Sequence, residues 1–319
     1  MKLSGKRFLI TGAAGFVGGH LFNLLDSRDE QVVPLGIDRV AAPRIEAVDL
    51  TDRSRLNKVV AEFRPDFVIH LAAGSSVAES WKAPAACFLN NTAVFLNLLD
   101  AVREFVPGCR ILSIGSAEVY GGDSTPPFRE ETPFLPQNPY AVGRLAQEQL
   151  AKVYGNGFGL DIVSTRSFNH TGPGQSLRFA VPSFVRQLVD AKRRGKKRAV
   201  LQTGNVEVVR DLLDVRDVVQ AYLLLLEKGR SGEVYNVCSG EGRTLRSVIE
   251  TAARMLELEV DIVLDERLLR PSDVPSFIGC NDKLVQETGW RPMIPFEMTL
   301  RDMAYSEPGA SARGGVLNA

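Results

Sequence analysis

Cysteine, histidine and tryptophan are scarce in this chain: four, three and two copies in 319 residues. Cys87, Cys109, Cys238 and Cys280 lie far apart and make no Cys-x-x-Cys pair. They read as reduced core thiols, not as a disulfide framework or a zinc site. Neither sign of charge is in excess, with 38 basic and 38 acidic residues and a formal net charge of zero. That balance argues against bulk attachment to nucleic acid or to an anionic membrane. One basic run stands out, Lys192 to Arg198 (KRRGKKR). It reads first as a solvated helix end and second as an anion site. The N-terminal residues Met1–Arg7 lead straight into a strand, and the apolar stretch that follows is interrupted by Gly too soon for a signal peptide or membrane span. A cytoplasmic location follows as the expectation. What is present is ordinary for a soluble globular protein: 45% hydrophobic and 24% charged residues, enough for one large domain or two smaller ones.

Apolar runs alternate with helical patterns along the first half. Strands are predicted at Arg7–Thr11, Gln31–Ile37, Phe67–Leu71, Arg110–Ile114 and Asp161–Thr165, with a shorter one at Arg44–Val48. Helices are predicted near Gly15–Asp26, Arg53–Phe63, Ala85–Val106 and Tyr140–Tyr154. This rhythm implies an α/β fold, a Rossmann-type doubly wound parallel sheet covered on both faces. After about residue 167 the pattern shifts to shorter, mixed elements. The expected division is a dinucleotide-binding domain over 1–167 and a smaller, mainly substrate-binding domain over 168–305, with some late segments free to return to the main sheet. The Gly/Ala/Ser-rich tail, 306–319, is expected to be disordered.

The first predicted strand runs into Gly12-Ala13-Ala14-Gly15-Phe16-Val17-Gly18 and then an amphipathic helix. A glycine-rich turn lets backbone approach a pyrophosphate, and the helix start offers N–H groups and partial positive charge. The second strand ends in Asp38-Arg39. An acidic residue there accepts from ribose hydroxyls and favours NAD, whereas an adjacent Arg can pair with the 2′-phosphate of NADP.

Tyr140 and Arg144 stand four residues apart on a predicted helix, so a phenol and a fixed cation share one face. A cation beside a phenol favours the phenolate and makes a Tyr serviceable as a general acid/base. No other Tyr in the chain has Lys four residues later. His70, on a buried strand, reads as a satisfied core residue more readily than as a catalyst.

These motifs resemble the extended short-chain dehydrogenase/reductases, the NAD-dependent epimerase/dehydratase family, over roughly residues 7 to 292. The glycine spacing is that of the extended members, and Tyr140-x-x-x-Arg144 is their Tyr-x-x-x-Lys with Arg in place of Lys. The resemblance implies cofactor contacts from Gly12, Gly15, Phe16, Val17, Gly18, Asp38, Arg39, the Asp49-Leu50 pair, the strand end Leu71-Ala72-Ala73, Tyr140 and Arg144. It tips the cofactor from NAD toward NADP. Ser116, at the end of the fifth strand, matches the family's catalytic Ser/Thr, and Glu118 matches an acid/base of the sugar-nucleotide 4,6-dehydratases. Asn91 and Asn97 match an Asn pattern expected to brace helices. In the substrate half, Asn169 (in FNHTGPGQS), Arg210 (in VVRDLLDVRDVVQAY) and Arg270 (in RPSDVP) match diphosphate ligands. Two Arg forks on one diphosphate are sound chemistry.

The implied activity is NAD(P)H-dependent reduction of the C4 keto group of a GDP-4-keto-6-deoxyhexose, giving a GDP-6-deoxyhexose such as GDP-D-rhamnose. The implied partners are that GDP-sugar and a second copy of the chain, with no metal. Two alternatives stay open: a 4,6-dehydratase or 4-epimerase, with Glu118 speaking for the dehydratase, and a dinucleotide-binding protein impaired in catalysis by Arg144.

Overall fold

The structure, a computed structural model, describes residues 3–28, 31–122, 125–269 and 274–306. Its centre is a parallel sheet of seven strands: β1 (Arg7–Thr11), β2 (Val33–Asp38), β3 (Ile45–Ala47), β4 (Phe67–His70), β5 (Arg110–Ser116), β6 (Asp161–Ser167) and, from the second half, β10 (Val234–Val237). Their order is β10-β6-β5-β4-β1-β2-β3. The chain winds outward from β1 on one side and from β4 on the other. The carboxyl ends of β1 and β4 therefore open a crevice at the switch point, where open α/β sheets take their ligands.

Every residue of β4 is buried, and β1 and β6 nearly so, as strands covered on both faces require. Alternation assigns the two cores. Phe8 and Ile10 pack with α1 (Phe16–Asp26) and α7 (Val215–Lys228). Leu9 faces the opposite side, with α2 (Arg53–Phe63), α4 (Pro84–Phe105) and Ala151 of α5 (Pro139–Phe158). Helix α4 is long and apolar enough to cross a membrane by length and composition alone. Its Phe95, Leu98, Leu99 and Val102 are fully buried in the second core, so packing accounts for that composition.

The second half adds β7 (Asn169–Thr171), β8 (Arg198–Thr203), β9 (Val209–Asp214), β11 (Gly242–Thr244), β12 (Glu259–Leu264) and β13 (Ser276–Phe277) in two small sheets. Helices α6 (Ala180–Arg193), α8 (Leu245–Met255) and α10 (Phe296–Tyr305) enclose a third core with β8. The basic run lies at the end of α6 and the start of β8. Lys192 pairs with Glu257 at 3.1 Å, and Arg198 pairs with Glu259 at 2.6 Å and Asp261 at 3.5 Å. The neighbouring acidic segment thus pairs with the two ends of the run, Lys192 and Arg198.

Several predicted bounds shift. Helix α5 extends to Phe158 because Gly155 and Gly157 are tolerated inside it, and it stops at Gly159, whose φ of 71° is left-handed. Strand β2 starts at Val33 and β5 runs on to Ser116. The short elements α3 (Val77–Lys82), β7, β11 and β13 are not predicted, being too brief to display a period. Residues 307–319 of the tail lie outside the described residues.

Candidate active site

The glycine turn sits at the mouth of the crevice. Gly12 has φ +68°, and a Cβ there would lie 2.7 Å from the Ala72 nitrogen, so only glycine lets the turn after β1 close on the segment after β4. At Gly18 a Cβ would lie 2.3 Å from the Ala13 carbonyl oxygen, which ties the first turn of α1 to the same loop. The helix starts at Gly15 with no side-chain cap and no acidic residue in its first turn. Its leading N–H groups are thus left for an outside acceptor, as an anion-binding helix start requires. These features fit a dinucleotide.

Asp38 braces this turn from β2. Its carboxylate accepts from the Ala14 N–H at 3.0 Å and the Arg39 N–H at 2.7 Å. Arg39 is exposed. Asp49 is exposed too and accepts from both the backbone and the hydroxyl of Thr51. Leu50 is buried, and its carbonyl accepts from Asn97 at 2.8 Å. Asn91 exchanges two hydrogen bonds with the backbone of Gly74. Both asparagines therefore brace loops at the crevice. At its floor the Ala72 N–H donates to the Thr11 hydroxyl at 3.2 Å, and that hydroxyl lies 2.8 Å from His70 Nδ1. His70 is fully buried. Burial, then the Arg144 charge, lowers its pKa to about 3. Its Nε2 makes no hydrogen bond among the described residues.

Helix α5 carries the phenol and the guanidinium. Asn138 starts it, accepting from the Ala141 N–H at 2.9 Å, and Pro139 occupies the first turn, where a missing N–H costs nothing. Tyr140 is 7% exposed and Arg144 5%. Arg144 Nε donates to the Tyr140 hydroxyl oxygen at 3.0 Å. Its Nη1 donates to the Ile114 carbonyl at 3.0 Å and to Gln147 Oε1 at 2.8 Å. All three acceptors are neutral, and Arg144 makes no ion pair among the described residues.

Ser116 ends β5. Its hydroxyl accepts from the Glu118 N–H at 3.2 Å, which leaves its own proton available to donate. The Glu118 carboxylate accepts from Asn138 Nδ2 at 3.0 Å, linking it to the start of α5. Behind the site, Arg166 is 2% exposed. It donates twice to Glu148, at 2.9 and 2.8 Å, and to the Tyr120 hydroxyl at 2.9 Å. Burial works to raise the Glu148 pKa, but the hydrogen bonds and charge of Arg166 outweigh it and hold the carboxyl below its usual range. Tyr120 is buried, stacks on Phe128 at 5.3 Å and donates to Asn236 at 2.6 Å.

On the substrate side, Asn169 is exposed on β7. Half-buried Arg210, on β9, donates through Nη1 to the Val209 and Val274 carbonyls, each at 2.8 Å. Arg270 lies outside the described residues. The structure thus brings Ser116, Glu118, Tyr140 and Arg144 together through β5 and α5. Sequence reasoning passed over Gln147 and the Arg166–Glu148 pair. The i+3 and i+4 spacing of Gln147 and Glu148 from Arg144 was a visible signal.

The model of the GDP-mannose 4,6 dehydratase family matches residues 9–303. A GDP-6-deoxy-D-mannose reductase of Pseudomonas aeruginosa is 37% identical over 93% of this chain and 95% of its own. The structure of RMD from Pseudomonas aeruginosa complexed with NADPH superposes with a TM-score of 0.85 at 36% identity, over 94% of this chain and 97% of that one. A Thermus thermophilus UDP-glucose 4-epimerase in complex with NAD gives 0.81 at 30% identity, over 94% and 99%.

Proposed function

Because the chain belongs to the GDP-mannose 4,6 dehydratase family, within the short-chain dehydrogenase/reductases, we propose that it reduces the C4 keto group of a GDP-4-keto-6-deoxyhexose. The product would be a GDP-6-deoxyhexose such as GDP-D-rhamnose. At the coarser level the chain is an NAD(P)-dependent oxidoreductase of nucleotide sugars. The observation that carries the finer reading is the Arg144–Tyr140 hydrogen bond one strand end away from Ser116.

The reduced nicotinamide, when bound, supplies hydride to C4. The chain's own residues would do the rest. The Ser116 hydroxyl would donate to the C4 oxygen and hold it beside Tyr140. The Tyr140 phenol would protonate that oxygen as negative charge develops. Arg144 Nε–H, already on the phenol oxygen, would stabilise the phenolate left behind. Arg144 Nη2, which makes no hydrogen bond among the described residues, is the donor left for the nicotinamide ribose. The turn Gly12–Gly18, with Phe16 and Val17, would take the pyrophosphate. Asp38, Arg39, Asp49 and Leu50 would frame the adenosine, and Leu71–Ala73 would line the nicotinamide side. The NADPH-bound relative supports NADP, with NAD as the alternative. Asn169, Arg210 and Arg270 would anchor the GDP diphosphate from the 168–305 half. A cytoplasmic homodimer joined through α4 and α5 belongs to the same reading. The exposed apolar side chains Leu89, Val142, Val153 and Phe158 on those helices support it.

Glu118 favours a second reading, a 4,6-dehydratase, because its carboxylate stands two residues from Ser116 and near the start of α5. One incubation separates the two. With GDP-4-keto-6-deoxy-D-mannose and excess NADPH, a reductase consumes one NADPH per sugar reduced. No consumption sinks the reductase reading, and binding of NADPH without turnover would point to a protein that kept the fold and lost the reaction.

A further inference from the structure

The guanidinium of Arg144 presents its planar fork in a buried site, and something must fix which of its nitrogens faces Tyr140. Gln147, one turn further along α5 and 1% exposed, closes a ring around it. Its Oε1 accepts from Arg144 Nη1 at 2.8 Å. Its Nε2 donates to the Ile114 carbonyl at 3.0 Å and to the Ser113 hydroxyl at 2.9 Å. The same Ile114 carbonyl accepts from Arg144 Nη1 at 3.0 Å. The amide can stand only one way round. A guanidinium has no acceptor, so Oε1 must face it, and a carbonyl has no donor, so Nε2 must face Ile114.

We propose that Gln147 is the positioning residue of the proton-donating pair: it locks the Arg144 plane so that Nε–H, and not a terminal N–H, meets the Tyr140 oxygen. The proposal rests on the C4-reductase reading for its catalytic consequence. Its geometry stands on the hydrogen bonds alone. Nη1 spends its two protons on Ile114 and Gln147. Remove the Gln147 oxygen and one of them is left buried without an acceptor, an arrangement disfavoured strongly enough for the fork to turn. A lysine at position 144 has no fork to turn, so the amide serves an arginine in particular.

The test is a double-mutant cycle of Gln147→Met and Arg144→Lys. Met keeps the length of the side chain and removes the amide. In the wild-type background Gln147→Met should lower kcat about tenfold to a hundredfold with KM shifted less than about threefold, the size expected when a reacting group moves by about an ångström. In the Arg144→Lys background the same change should move kcat by less than about threefold. A second readout needs no turnover. The Arg144 Nε–H resonance of the ligand-free protein, identified by its loss in Arg144→Lys, should exchange slowly with solvent. It should speed up at least about tenfold in Gln147→Met, with the α5 backbone amides unchanged. Equal kcat losses in both backgrounds, or an unchanged Nε–H exchange rate, overturn the proposal. If the wild type consumes no NADPH with the 4-keto sugar, the reductase reading fails, and the exchange measurement still decides the role of Gln147.

Discussion

Two arginines are buried along α5, one on the helix and one against it, and they are held in opposite ways. Arg166 grips the Glu148 carboxylate with both ends of its fork, so its charge is cancelled where it stands. Arg144 is nearly as buried, yet its partners are a phenol, a carbonyl and an amide, with no carboxylate among the described residues. Its field reaches outward. Burial lowers the His70 pKa and raises those of Cys87 and Tyr222, and in each case the Arg144 charge pulls the same group toward its less positive or more negative form. A cancelled buried charge joins a helix to a sheet. An uncancelled one is costly to the fold and is useful only where negative charge develops next to it. That contrast fits a structural place for the first arginine and the proposed chemistry for the second.

The comparison breaks most visibly at Tyr140. Tyr140→Phe removes the group that would act as the acid in the proposed reduction, with Arg144 hydrogen-bonded to it. Turnover with a 4-keto sugar nucleotide should fall by about 10²- to 10⁴-fold while NADPH affinity, read by fluorescence titration, holds. Glu148→Ala should do the reverse. It leaves Arg166 buried and unpaired, so denaturant unfolding should show a loss of about 3–5 kcal/mol, with kcat per folded molecule little changed.

His70 reports the Arg144 side more finely. Its folded-state pKa, about 3, lies below the ordinary 6.5. As pH falls below about 6.5 the unfolded chain takes up the proton and the folded chain does not, so this stability is present above that pH and is lost on acidification toward pH 3. The slope from one group is at most about 1.4 kcal/mol per pH unit, and His70→Asn should flatten the unfolding free energy against pH between about 6 and 4. At the surface, Lys192→Ala should change stability by less than about 1 kcal/mol, since its ion pair with Glu257 is exposed.

What the sequence made legible was local. The turn from Gly12 to Gly18, the four-residue step from Tyr140 to Arg144 and the strand-end Ser116 are all short-range patterns tied to an element's period or boundary. The strand–helix rhythm displayed the doubly wound sheet for the same reason. What it could not display were partners brought together by the fold. Arg144 reaches Ile114 across 30 residues, Arg166 reaches Tyr120 across 46, and Thr11 reaches His70 across 59. Strand β10 joins the main sheet beside β6 only after β7, β8, β9 and two helices have intervened, and no periodicity announces that return. Gln147 was in plain view on the helix, but its meaning depends on Ile114 and Ser113 of another element.

If Arg144 is a built part of the site and no damaged lysine, replacing it with lysine should cost activity. The direct measurement is the initial rate of NADPH oxidation by Arg144→Lys with GDP-4-keto-6-deoxy-D-mannose, set against the wild type. A lysine cannot reproduce the Nε–H bond to Tyr140 or fill both the Ile114 and Gln147 acceptors in the same plane. The rate should fall about tenfold or more. A rise of about tenfold or more would contradict the account and mean that the arginine disables a site made for lysine.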